Sequence, residues 1–378
     1  MTTTTRVLIA ADKFKGSLTA AEVAEHVSAG LLARRPGTSV TALPVADGGD
    51  GTVAAALAGG FVSRTVTVTG PLGEPVRAEF ALRGDTAVVE MAAASGLVLL
   101  PPDEFAPLTA TTAGTGELIA AAVDAGARTV VLGIGGSATT DGGAGMLVAL
   151  GVRLLDATGR PLPPGGAALR ELAAVDLSGL DPRLAATRVV LACDVDNPLT
   201  GPQGAAAVYA PQKGATAADV ATLDAALQQY ARVLGAAAGE GAAAMAQSPG
   251  AGAAGGVGFG ALAGLGAEFR PGIEVMLEVL GFADALKDAD LVVTGEGSLD
   301  AQTLHGKAPA GVAAAARAAG VPVVAVCGRL ALDEEALRAA GIERAYALTS
   351  LEPDTSVCVA QAGPLLRRLA EQLAADRL

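Results

Sequence analysis

Two lysines stand close together in Asp12-Lys13-Phe14-Lys15-Gly16-Ser17, between an apolar run and a helix start at Thr19. Ammonium groups beside free helix N–H groups make a site for an anion, a phosphate or a carboxylate. A lysine pair on a solvated turn is the plain alternative. A chemical role is favoured because charged residues are only 17% of the chain, against roughly a quarter in ordinary proteins. Asp47-Gly48-Gly49-Asp50-Gly51-Thr52 places two carboxylates among glycines, which suits a magnesium–phosphate complex as well as a simple Asx turn. Gly135 to Gly145 is a run of glycine, serine and threonine around Asp141, whose backbone donors and hydroxyls could cradle phosphate oxygens. Cys193-Asp194-Val195-Asp196-Asn197-Pro198-Leu199 follows an apolar strand and offers two carboxylates as metal ligands or a general base. Pro211-Gln212-Lys213-Gly214 adds a lysine in a turn, and Gly295-Glu296-Gly297-Ser298-Leu299-Asp300 completes the set, with His305 reading as a surface histidine.

Two familiar phosphate-binding patterns bear on these loops. A Walker A sequence is missing, because Gly306-Lys307 is followed by Ala308. A dinucleotide fingerprint is present: Gly133, Gly135 and Ala138 match GxGxx(G/A), with Asp156 further on. It supports an alternative reading as an NAD-dependent oxidoreductase. That reading puts Asp141-Gly142-Gly143 inside a crossover helix, where such residues are unfavourable, and leaves the other charged loops without a role.

The elements that must position these loops alternate strand and helix. The chain opens with a strand at 7–10, a helix over 20–34 capped by Thr19 and Glu22, and a strand near 39–45. Alternating residues over 63–69, 77–82 and 86–91, separated by Gly70-Pro71-Leu72-Gly73 and Arg83-Gly84-Asp85, predict antiparallel hairpins. A long alanine-rich helix is expected over 216–238, and a βαβ rhythm returns from about 290. The fold class expected is α/β with two domains. One is a doubly wound parallel-sheet domain built from both chain ends, residues 1–70 and 285–378. The other, residues 71–284, is an inserted mixed α/β domain with antiparallel hairpins.

With 378 residues the chain is long enough for two cores. A net charge of −13 disfavours nucleic-acid binding. No apolar stretch is long and unbroken enough to span a membrane, although 51% of residues are hydrophobic. Cys193, Cys327 and Cys358 show no CxxC spacing, and the polar start Met1-Thr2-Thr3-Thr4-Thr5-Arg6 lacks a signal-peptide core; a reduced, cytoplasmic compartment is expected.

At these loops, together with Pro249-Gly250-Ala251-Gly252-Ala253-Ala254-Gly255-Gly256, the sequence resembles the glycerate kinase family of the type without a Walker motif. The motifs follow one another along nearly the whole chain. The resemblance implies ATP-dependent phosphorylation of glycerate, generally at the 2-hydroxyl, two α/β domains with one inserted in the other, and ATP and Mg²⁺ as cofactors. Individual roles rest on chemistry alone. Lys13 and Lys15 are candidates for the substrate carboxylate or the transferring phosphate, with Ser17 and Lys213 as further substrate contacts. Asp47, Asp50 and Asp196 are candidate Mg²⁺ ligands, directly or through water. Gly135, Gly136, Ser137 and Thr139 are candidates for the nucleotide phosphates, and Asp194 for the base that takes the proton of the attacking hydroxyl. A small-anion binding protein without catalysis would share the lysines but would not need so many acidic loops.

Overall fold

The computed structural model describes residues 4–304 and 306–378, so His305 lies outside the described residues. The chain divides into two compact units. Unit 1 comprises Met1–Asp47, Ala54–Gly60 and Pro271–Leu378; unit 2 comprises Gly48–Val53 and Phe61–Arg270.

The first strand, β1 (Arg6–Ala11), is buried from Val7 onward, as a parallel strand covered on both faces must be. The helix Ala20–Arg34 starts on the expected capping box, in which Thr19 and Glu22 satisfy one another's backbone N–H. Next comes β2 (Ser39–Ala42), after which the chain enters unit 2. There β3 (Val62–Thr69), β4 (Pro75–Arg83) and β5 (Thr86–Glu90) form the predicted antiparallel meander. Strand β6 (Thr129–Gly133) then pairs parallel to β5. Two short strands, β7 (Arg153–Leu155) and β8 (Ala174–Asp176), form a separate antiparallel ladder. Strands β9 (Arg188–Ala192) and β10 (Glu268–Arg270) extend the parallel part, giving a six-stranded mixed sheet of order β10-β9-β6-β5-β4-β3. The alanine-rich segment is the helix Ala217–Ala238, capped by Thr216 and Asp219.

Back in unit 1, β11 (Leu291–Leu299), β12 (Val323–Leu330) and β13 (Arg344–Ala347) complete an all-parallel sheet of order β13-β12-β11-β1-β2. One face is covered by the helices Ala20–Arg34 and Ala362–Arg377, whose Val27, Leu31, Leu366 and Leu369 join Ile9, Val293 and Val326 in one core. These helices approach so closely that a Cβ at Gly30 would lie 2.2 Å from the Arg367 carbonyl oxygen. From β1 the chain steps to β2 on one side, while β11 to β13 lie on the other. The order therefore reverses between β1 and β11, and in open α/β sheets ligands bind outside the carboxyl ends of the strands at such a point.

The division into compact units changes at 47/48, 53/54, 60/61 and 270/271, beside the boundaries expected at 70/71 and 284/285. Strand β3 pairs with β4 along its whole length, from Val62 opposite Leu82 to Thr69 opposite Pro75, so a break at 70 would cut a hairpin. The helix Gly272–Leu280 packs against the helix Ala308–Ala318, where a Cβ on Gly311 would meet Ile273 at 2.6 Å. All three cysteines are free thiols. Among the described residues, no helix is long and apolar enough to cross a membrane.

Candidate active site

Each unit carries a candidate site at the carboxyl ends of its parallel strands. In unit 1, Asp12 follows β1 and its backbone N–H donates to the Gly295 carbonyl of β11 at 2.8 Å, which fixes it at the reversal point. Its Oδ1 accepts from the Lys13 backbone N–H at 2.7 Å. Burial first, and then the charges of Asp47 and Glu296, push the Asp12 carboxyl up to about 7 against the pull of Lys13. Glu296 is raised in the same direction, chiefly by burial and further by Asp300 and Asp47, although its Oε1 accepts from the Thr303 hydroxyl at 2.5 Å and Lys307 lowers it. Asp12, Asp47 and Glu296 thus form a mutually repelling carboxylate group.

The lysine turn beside them is tight. Gly16 adopts a φ of +81°, and the Phe14 and Leu18 backbones bond one another across the turn. Lys13 is half-buried and Lys15 is exposed. Ser17, expected to touch substrate, donates its hydroxyl to the Phe14 carbonyl at 3.0 Å and so closes the turn.

In unit 2 the glycine loops lie on one another. A Cβ on Gly48 would meet the Ala192 carbonyl oxygen at 2.3 Å, and one on Gly133 the Gly48 carbonyl oxygen at 2.6 Å. The Gly48–Val53 segment is therefore laid flat across the ends of β6 and β9, an approach that only glycine allows. It is held there by Glu90 at the end of β5, whose carboxylate accepts from the backbone N–H groups of Gly51 at 2.9 Å and Val53 at 3.1 Å. Asp50, in the same loop, is exposed.

Beside this cradle is a cleft of about 150 Å³ with Gly135, Gly136 and Ser137 in its wall, together with Leu97, Ile134, Cys193, Val195, Tyr209, Gln212 and Ala254. Three of the four residues expected to hold nucleotide phosphates thus line one concavity. Thr139 is instead fully buried. Asp194 and Asp196 are exposed, while their neighbours Cys193 and Val195 face the cleft. Asp196 is near enough to help raise the Tyr209 phenol, after burial and Cys193, and the Tyr209 hydroxyl donates to Asn197 Oδ1 at 2.5 Å.

Lys213 departs most from its expected place. Only 1% exposed, it does not reach the open cleft; its Nζ donates to Ser137 Oγ at 2.8 Å and to the Thr139 carbonyl at 2.5 Å. The turn Pro211–Lys213 points the side chain inward, under the loop rather than towards a solvent-borne substrate. Asp141 is equally buried and accepts from the Thr112 backbone and hydroxyl and from the N–H groups of Gly143 and Gly145.

The dinucleotide reading does not survive this geometry. After β6 the chain does not turn directly into a helix; the next one, Ala144–Ala149, begins only after Gly136, Gly142 and Gly143 have taken positive φ. Strand β7 before Asp156 lies outside the six-stranded sheet, so Asp156 is not at the end of a neighbouring parallel strand. Its carboxylate is occupied locally by Thr158 and Arg160. Among the described residues, no group of three or more His, Cys, Asp or Glu side chains is arranged to hold a metal ion. Asp47 belongs to unit 1, and Asp50 and Asp196 to unit 2.

Sequence reasoning did not single out Glu90, Asp141 or Glu296 for a role. Glu90 carried a signal: one acid ending an apolar strand in a charge-poor chain. Asp141 was masked by its own loop, and nothing in the spacing marks Glu296 as the partner of Asp12.

An all-parallel sheet with acids at its reversal point, and a mixed sheet with a glycine cradle at its strand ends, are the marks of an α/β enzyme rather than of a structural module. Residues 7–377 match the model of the glycerate kinase family. A glycerate kinase of Bacillus subtilis (strain 168) is 48% identical over 376 residues, covering 98% of this chain and 97% of the relative. A glycerate 2-kinase of Escherichia coli (strain K12) is 45% identical over 350 residues, covering 92% and 91%. A crystal structure described as "putative glycerate kinase 2" from Salmonella typhimurium LT2 superimposes with a TM-score of 0.87 at 44% identity, covering 99% of this chain and 98% of that one. The chain belongs to the glycerate kinase family. It is an enzyme of the kinase class, with the mixed α/β fold of that structure.

Proposed function

We propose that the protein transfers the γ-phosphoryl group of ATP to D-glycerate with Mg²⁺, giving 2-phosphoglycerate, and that it does so in the cytoplasm. The observation that carries this is the correspondence with glycerate kinases over almost the whole chain, a glycerate 2-kinase among them. In this reading Gly135, Gly136 and Ser137 hold nucleotide phosphates in the unit 2 cleft. Lys13 and Lys15 take the substrate carboxylate or the transferring phosphoryl group. Thr139 and Lys213 leave the set of direct contacts because both are buried.

Asp47, Asp50 and Asp196 are the proposed Mg²⁺ ligands, directly or through water. Mg²⁺ is usually held by one or two carboxylates plus phosphates and water, so a three-acid cage is not required. The raised carboxyls of Asp12 and Glu296, both repelled by Asp47, are the chemistry a divalent cation relieves. When bound, the ion neutralises phosphate charge. Asp194 accepts the proton of the attacking hydroxyl. Asp12 is a second candidate for that step, because a carboxyl held near 7 is matched to general-base work at neutral pH.

The test is ADP release with D-glycerate, ATP and Mg²⁺, with phosphorus NMR of the product and an NADH absorbance control. ADP formation with the phosphoryl group on the 2-oxygen is the expected result. No ADP above background across common hydroxy acids overturns the reading, and a 3-phospho product overturns its regiochemistry.

A further inference from the structure

The buried ammonium of Lys213 is the least explained charge in unit 2. Packing alone would be served as well by methionine or leucine, because isolating a charge from water is costly unless its partners reward it. The fold places it under one loop. Its Nζ donates to Ser137 Oγ at 2.8 Å and to the Thr139 carbonyl at 2.5 Å. The other end of that loop is fixed by Asp141, through the Thr112 backbone and hydroxyl and the N–H groups of Gly143 and Gly145. The stretch from Gly135 to Gly145 therefore has an internal cation beneath its first half and an internal anion beneath its second.

Direction matters in the bond to Ser137. An ammonium group can only donate, so Ser137 Oγ is the acceptor and its own proton must point elsewhere. Among the described residues no acceptor takes that proton, and Ser137 lines the cleft. The Thr139 and Thr140 hydroxyls, by contrast, are buried and have no partner among the described residues. We propose that Lys213 is a positioning residue for the nucleotide: it acts through Ser137, fixing that hydroxyl as a donor towards a phosphate oxygen and setting a positive charge beneath it. The inference rests on the reading that the cleft holds the nucleotide phosphates. Burial brings the ammonium down to about 7, with Asp141 opposing that fall, so the donor-only arrangement belongs to the protonated form and a bound phosphate favours that form over the neutral amine. An acceptor-only ligand such as a phosphate is favoured by this arrangement, and a neutral nucleoside gains nothing from it.

The experiment measures binding of ADP and of adenosine to the full-length protein by calorimetry, with Lys213→Met, Ser137→Ala and the double variant. A bond to a charged partner typically carries a 10- to 100-fold effect, roughly, on affinity. Lys213→Met should weaken ADP by about that factor while leaving adenosine within about twofold. In the Ser137→Ala background the same lysine change should cost ADP binding less than it does in the parent, because the route through Ser137 is already removed. Equal weakening of ADP and adenosine, or full additivity of the two changes, overturns the proposal and leaves Lys213 as a structural prop. If Lys213→Met does not fold, Lys213→Gln replaces it, with the same expected loss for ADP, the same sparing of adenosine and the same overturning results. Val195→Trp tests the underlying reading by filling the cleft. Unchanged ADP binding in that variant overturns the nucleotide site itself. Lost ADP binding there, with Lys213→Met and Ser137→Ala both unaffected, overturns only the role of Lys213.

Discussion

Replacing Asp12 by asparagine should make the protein more stable at alkaline pH, with a smaller gain in mild acid. In the native chain this carboxyl titrates near 7 rather than at its ordinary 3.8, chiefly through burial and then through Asp47. Between those two values the folded state keeps a proton that the unfolded chain has released, so stability falls as pH rises and the loss is complete above about 7. The full displacement corresponds to a ceiling of about 4 kcal/mol. Asp47 and Glu296 share the repulsion and can take up protons in its place, so about 2 kcal/mol is the working figure for the single change. Asparagine keeps the Oδ1 that accepts from the Lys13 N–H and removes the charge. For a unit of this size that gives a midpoint about 4–8 °C higher for Asp12→Asn around pH 8, with a gap about 40% as large around pH 5. Differential scanning calorimetry in EDTA at the two pH values is the assay, and a drop in turnover should accompany the gain. A variant no more stable than the parent around pH 8, or a gap of equal size at both pH values, refutes the account of Asp12.

Lys15→Met removes an exposed cation at nearly constant length, and kcat/KM should fall by roughly 10²–10³ if it meets developing or substrate negative charge. A value within about twofold of the parent assigns Lys15 to the solvated surface. Asp194→Asn should cost roughly 10²–10⁴ in turnover that Mg²⁺ does not restore, whereas Asp196→Asn should raise the Mg²⁺ requirement and spare more of the maximal rate. A Mg²⁺ titration of kcat checks both: rescue of Asp194→Asn alone reverses the roles, and two unimpaired variants make the loop structural. Glu90→Gln turns an acceptor of two backbone N–H groups into a mixed donor, so about 1.5–3 kcal/mol of support for the Gly48–Val53 cradle should be lost. Faster hydrogen exchange at Gly51 and Val53 would register that loss, and unchanged protection there would count against it.

Local chemistry was legible in the sequence where a residue answers to its near neighbours. The Thr19–Glu22 capping box, the β3–β4–β5 meander and the glycine loops at strand ends all follow from spacing and residue type, and all are present. What spacing did not reveal is which way a side chain faces once distant segments meet. Lys213 lies 74 residues from Thr139 in sequence, and nothing in Pro211-Gln212-Lys213-Gly214 says that its ammonium turns inward under that loop. Glu90 and Gly51 are 39 apart, and their bond depends on sheet order. The dinucleotide fingerprint misled for the same reason: its residues match in sequence, but the strand that should follow is not in the sheet.

The high alanine and glycine content belongs to this same argument. A cradle in which the carbonyl oxygen of Gly48 would lie 2.6 Å from a Cβ on Gly133 exists only because side chains are absent on both sides of the contact. With backbone packed on backbone, few positions remain where a side chain can deliver charge to the strand ends. The charges that do reach them must come from a strand terminus, as Glu90 does, or from underneath, as Lys213 and Asp141 do. In unit 2 the glycines make the surface close to the strand ends, and the buried ions hold its shape. Substitutions at either should therefore damage the cleft in different ways: a side chain on Gly133 or Gly135 displaces the Gly48–Val53 segment outright, whereas loss of the buried lysine leaves the backbone path intact and changes what Ser137 can donate to.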